Sequence, residues 1–118
     1  MVQLSDAPLI ILEGDEHFAS PIDKRPKFIH YRPNIVLLTA VEFDHADIYP
    51  DMTAYRAAFQ QLLALLPADG TVIACADDPE VNALTRSAPC RVVRYGLGAA
   101  PRGQRPTLTS AKRQLAFA

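Results

Sequence analysis

The chain is predicted to be an α/β protein, a mostly parallel sheet with flanking helices, and three observations predict it. Two short apolar runs, Leu9-Ile10-Ile11-Leu12 and Ile35-Val36-Leu37-Leu38, show no polar alternation. That is the pattern of strands buried on both faces, as in a parallel sheet. Later segments alternate between strand-like and helix-like periodicity, as βαβ units do. Apolar residues make up 49% of the 118 residues and charged residues 21%, enough to build a core in a single domain.

Taken in order, the first run stops at Glu13-Gly14-Asp15-Glu16. Residues 20–33 hold three prolines and the basic cluster Lys24, Arg25 and Lys27, which reads as a loop with one helical turn around Pro26 to Tyr31. The second run ends in another polar cluster, Glu42-Phe43-Asp44-His45-Ala46-Asp47. Asp51 then suits an N-cap, because Met52, Tyr55, Phe59, Leu62, Leu63 and Leu66 recur at the three-and-four spacing of an amphipathic helix. Pro67 and Gly70 close that helix. Thr71 to Ala76 reads as a third strand, and Asp78-Pro79-Glu80 opens a short helix with proline at its favoured first position. Arg91 to Tyr95 is a fourth strand, giving the order β-β-α-β-α-β.

Composition excludes several classes. No stretch approaches the roughly 18 apolar residues of a membrane span, and no basic-then-apolar leader opens the chain. Two cysteines, Cys75 and Cys90, are too few for a disulfide scaffold and read as reduced thiols of a cytoplasmic protein. Charge is unevenly spread: all thirteen acidic residues lie at or before Glu80, where only five bases stand, and the last 38 residues hold seven bases and no acid. Four of those bases, Arg102, Arg105, Lys112 and Arg113, lie among Pro, Gly, Thr and Ser, which predicts a flexible tail over 98–118 and no nucleic-acid surface.

Both apolar runs lead straight into acids, and open α/β sheets bind ligands outside the carboxyl ends of their strands. If the two strands are parallel neighbours, Glu13 and the Glu42–Asp47 cluster share one edge, a setting for Mg²⁺, with His45 as a further ligand or as an orienting group. Equally, acids after strands are common in solvated loops. The basic cluster allows contact with phosphate or carboxylate, or a solvated turn. Neither cysteine pairs with a histidine at zinc spacing, and no G-x-x-x-x-G-K-[ST] or G-x-G-x-x-G string is present, so no phosphate cradle lies in these residues.

Three strings together, Glu13-Gly14-Asp15-Glu16, Asp23-Lys24-Arg25-Pro26-Lys27-Phe28-Ile29-His30-Tyr31-Arg32-Pro33 and Glu42-Phe43-Asp44-His45-Ala46-Asp47-Ile48, closely resemble the central domain of the Mur ligases over residues 8–97. The second and third strings are most similar to the murein peptide ligase branch, whereas the L-alanine-adding branch has a shorter connection and an E-A-D-H-M-D-like string. The resemblance implies part of a P-loop-type ATP-binding domain in a larger cytoplasmic enzyme, with the phosphate loop upstream and a substrate domain downstream. It implies ATP and Mg²⁺ as cofactors, and UDP-N-acetylmuramate and the tripeptide L-Ala-γ-D-Glu-meso-diaminopimelate as substrates, joined through an acyl phosphate in peptidoglycan recycling. By motif position Glu13 and His45 match the family's metal and catalytic residues, with Asp44 and Asp15 in support. Two departures stand out: His17-Phe18 replaces a common Tyr-Asp, and Thr39-Ala40-Val41 replaces a common Asn-Asn-Leu. The alternatives are a catalytically silent remnant serving as an assembly module, and a piece of the L-alanine-adding ligase.

Overall fold

A computed structural model describes residues 6–44, 46–97 and 113–117. Its strands are β1 (Leu9–Glu13), β2 (Ile35–Leu38), β3 (Thr71–Cys75), β4 (Arg91–Tyr95) and β5 (Arg113–Phe117). Helices α1 (Met52–Ala64) and α2 (Pro79–Thr85) and a 3₁₀ turn, Lys27–Tyr31, complete the fold. Among the described residues these strands pair in parallel throughout, in the order β1-β5-β2-β3-β4, so the predicted α/β class and parallel sheet hold.

The helix boundaries follow from the sequence signals. Asp51 caps α1 by accepting the Ala54 amide at 2.8 Å, and Asp78 caps α2 by accepting the Val81 amide at 2.9 Å, with Pro79 in the first turn. Along α1 the predicted stripe faces inward: Tyr55, Phe59, Leu62 and Leu63 are buried, with Leu66 just beyond the helix. They meet Val36 and Leu38 of β2, Val72 and Ala74 of β3, Val81 and Leu84 of α2, and Phe28 of the 3₁₀ turn. Phe28 lies 5.4 Å from Phe59 between ring centroids. Gly70 is required where β3 begins, since a Cβ there would come within 2.9 Å of two backbone oxygens, those of Asn34 and Pro67. Arg32 leaves the 3₁₀ turn at φ 46°, the left-handed region, and swings the chain into buried Pro33 and β2.

Three expectations are corrected. β1 is not buried on both faces: Leu9, Ile10 and Ile11 are 41%, 47% and 57% exposed, because β1 is an edge strand and no described helix covers it. Nor are β1 and β2 neighbours, because β5 pairs with both, aligning Glu13 and Leu37 on either side of Phe117. The expected flexible tail is therefore ordered at 113–117, where two flanking strands supply hydrogen-bond partners that local composition does not report. Residues 98–112 and 118 lie outside the described residues.

Candidate functional site

The sheet brings its outgoing loops to one edge. Register across β1, β5 and β2 puts Glu13 level with Leu37, and two strand spacings separate them by about 10 Å. Both strands then run on into their acidic loops, so the strings after β1 and β2 share the carboxyl edge although another strand lies between them. Between the loops opens a cleft of about 330 Å³, lined by Glu16, Ala40, Glu42, Phe43, Asp44, Tyr55 and Phe59.

Aromatic packing joins these elements. Tyr55 is in edge-on contact with Phe43 (5.7 Å), Tyr49 (5.1 Å) and Phe59 (5.2 Å), and Phe18 approaches Tyr49 at 6.4 Å. The two phenols also fix Glu16: the Tyr49 hydroxyl donates to its carbonyl at 2.6 Å, and the Tyr55 hydroxyl reaches its carboxylate at 3.4 Å. Burial, reinforced by the Glu16 charge, pushes the Tyr49 phenol up to about 12 and raises that of Tyr55 as well. Both therefore remain protonated donors at neutral pH.

The residues expected from sequence fall into different places. Glu13 ends β1 with its side chain exposed at the carboxyl edge, outside the cleft lining. Asp44 lines the cleft, while His45 lies outside the described residues. Asp15 is occupied in holding the loop. It accepts the Lys27 ammonium at 2.7 Å and the His17 amide at 2.8 Å, and chiefly the Lys27 hydrogen bond lowers its pKa below the usual carboxylate value. Within the basic string Arg25 and His30 both meet Asp23, and Lys27 is the partner of Asp15. Of the two departures, Ala40 leaves a cleft wall without a side-chain amide, and Phe18 packs on Tyr49.

Sequence reasoning missed Glu16, Tyr49 and Tyr55 as cleft builders. Tyr55 could have been flagged as a polar-tipped ring in an otherwise aliphatic stripe, and Glu16 as the second acid of its string. No local signal marks Tyr49.

The titratable groups lining the cleft are three carboxylates and a phenol, so its donors are oxygen, the chemistry of a hard cation. Among the described residues no group of three or more His, Cys, Asp or Glu forms a ready-made cage. Mg²⁺ fits such a setting, since it takes one or two carboxylates and fills its octahedron with water and phosphate oxygens. No helix among the described residues is long and apolar enough to cross a membrane.

Comparison with known proteins agrees with this architecture. The profile of the Mur ligase middle domain matches residues 2–117. The UDP-N-acetylmuramate–L-alanyl-gamma-D-glutamyl-meso-2,6-diaminoheptandioate ligase of Haemophilus influenzae is 38% identical over 76 residues, 64% of this chain and 17% of that protein. The UDP-N-acetylmuramate–L-alanine ligase of Renibacterium salmoninarum is 40% identical over 95 residues, 78% of this chain and 19% of that one. A crystal structure of UDP-N-acetylmuramate:L-alanyl-gamma-D-glutamyl-meso-diaminopimelate ligase from Neisseria meningitides superposes with a TM-score of 0.62 at 32% identity, over 69% of this chain and 25% of that one. The chain thus spans less than a fifth of the length of these curated relatives.

Proposed function

The chain belongs to the Mur ligase family through its middle domain, and on that premise we propose that it is the metal-holding part of a cytoplasmic, ATP-dependent carbon–nitrogen ligase. The reaction assigned is the joining of L-Ala-γ-D-Glu-meso-diaminopimelate to UDP-N-acetylmuramate in peptidoglycan recycling. The sugar carboxylate is activated as an acyl phosphate, and the peptide amine displaces inorganic phosphate to form the amide. The observation that carries this reading is the oxygen-lined acidic cleft at the carboxyl edge of a parallel sheet. Carboxylates crowded there would repel a polyphosphate unless a divalent cation stood between them.

In this reading Glu13 and His45 hold Mg²⁺, and Asp44 supports them from the cleft wall. Bound Mg²⁺ supplies neutralisation of phosphate charge. The chain's own residues do the rest of the positioning. Asp15 and Lys27 pin the loop after β1 to the 3₁₀ turn, and Tyr49 holds the Glu16 carbonyl. The ATP phosphates need a glycine-rich cradle, and these 118 residues contain no such motif.

Titrating the chain with MgCl₂ while following backbone NMR shifts tests the metal assignment. Shifts at Glu13–Glu16 and Glu42–Asp47, abolished by Glu13→Gln, are the expected result; a silent spectrum would sink it. L-alanine addition is the second reading, favoured by the longer match to the Renibacterium relative. Comparing tripeptide-dependent with L-alanine-dependent phosphate release by the whole ligase that carries these residues, its own substrate domain included, separates the two.

A further inference from the structure

We propose that Asp78 is a positioning residue for the candidate metal loop, acting through one carboxylate shared between a helix cap and the root of that loop. The proposal deepens the reading of Glu42–Asp47 as metal-facing, and rests on it. The two Asp78 oxygens serve different elements. Oδ1 accepts the Val81 amide at 2.9 Å and closes the first turn of α2. Oδ2 accepts the Val41 amide at 3.3 Å, from a residue 37 positions earlier in the chain.

Val41 is the natural point to hold. It lies beyond the end of β2, where the strand ladder no longer supplies a partner, and it is 2% exposed, so water cannot readily replace one. It also immediately precedes Glu42, so fixing its amide fixes where the acidic loop departs. Asp77 makes a matching tie on the other side of β3. Its carboxylate accepts the Leu97 amide at 2.8 Å and lies over Gly96, where a Cβ would come within 2.8 Å of it. The turn between β3 and α2 therefore straps the outgoing ends of both neighbouring strands.

A capping role alone does not call for aspartate, because Asp, Asn and Ser cap about equally well. Serving two donors with two acceptor oxygens does. Asp78→Ser keeps one oxygen for the cap and removes the other acceptor. Asp78→Asn keeps the shape and puts an amide donor in place of one oxygen.

Amide hydrogen exchange and MgCl₂ titration of the 118-residue chain, both read by NMR, test the idea. In Asp78→Ser the Val41 amide should exchange about tenfold faster or more, the loss of one charge-assisted hydrogen bond. The Val81 amide should stay within about twofold of wild type, because its cap is kept. The Mg²⁺ midpoint at the Glu42 and Asp44 amides, read well below the thermal transition, should rise several-fold, a change that loss of a purely structural cap would not produce. Asp78→Asn should likewise raise the Mg²⁺ midpoint. Unaltered Val41 exchange in Asp78→Ser overturns the proposal. So does equal acceleration at Val41 and Val81, which is loss of the cap alone, and so does an unmoved Mg²⁺ midpoint when Val41 is freed. A wild-type chain with no Mg²⁺ response defeats the metal reading instead, and selective acceleration at Val41 would still support the tether.

Discussion

β1 and β2 run parallel in one sheet, two positions apart, and each carries four consecutive apolar residues. β2 is closed in: Val36 and Leu38 are fully buried beneath residues of α1, α2 and the 3₁₀ turn. β1 lies open, with its first three residues about half exposed. The difference teaches that an apolar run states a demand for cover and does not identify what provides it. In this chain the packed half is the β2-α1-β3-α2 unit. The β1 edge, with Glu13 at its end, is joined to that unit through β5, which pairs with both β1 and β2, and through a seam of loop contacts around Asp15, Glu16, Lys27 and Tyr49.

The largest effect should appear where the two halves contrast most. Leu38→Ala removes a fully buried side chain from the packed half and should cost about 2–5 kcal/mol. Ile10→Ala, at a position already 47% exposed, should cost about 1 kcal/mol or less. Urea unfolding of both variants reads the difference. Equal losses would break the comparison and mean that β1 is covered in solution.

How far the sequence reached follows the same division. Strand runs, the Asp51 and Asp78 caps, the α1 stripe and the turn near Lys27 were legible, because each is written within a few residues as a period or a cap. β5 was not legible: Arg113-Gln114-Leu115-Ala116-Phe117 becomes a strand only through pairing with β1 and β2, far away in sequence. The site divides likewise. Its edge could be placed from strand ends followed by acids, and Asp44 does line the cleft. The second duty of Asp78, and the grip of Tyr49 and Tyr55 on Glu16, are contacts between residues more than thirty positions apart, which no local pattern encodes.

The seam itself gives the next effect. Tyr49→Phe keeps the ring packing and removes the hydroxyl that donates to the Glu16 carbonyl, which should cost about 1–2 kcal/mol. It also carries a pH signature. Burial raises the Tyr49 phenol to about 12 in the fold, against about 10 in an unfolded chain. Its contribution is therefore complete below about pH 10 and lost as pH climbs toward 12, because the unfolded chain gives up its proton first. Alkaline unfolding curves should be shallower for Tyr49→Phe than for wild type. An identical slope would assign the alkaline sensitivity to Tyr55 and leave Tyr49 a packing residue.

The smallest effect should come from the exposed side of the same seam. Lys27 and Asp15 pair at 2.7 Å with both side chains substantially in solvent, so screening leaves little net stabilisation. Lys27→Met should destabilise less than Tyr49→Phe, and the difference from wild type should vanish at high salt. Its sign with pH is opposite to that of the phenol. The Asp15 carboxyl is held below its ordinary value, so the pair contributes above about pH 4, and the contribution is lost as pH falls through the lowered folded value. Asp15→Ala should be worse than Lys27→Met, because it also strips the acceptor from the His17 amide. If Lys27→Met proved as costly as Tyr49→Phe at moderate salt, the seam would be held by charge and not by the buried phenol. The β1 edge would then loosen in salt while the packed half stayed unchanged.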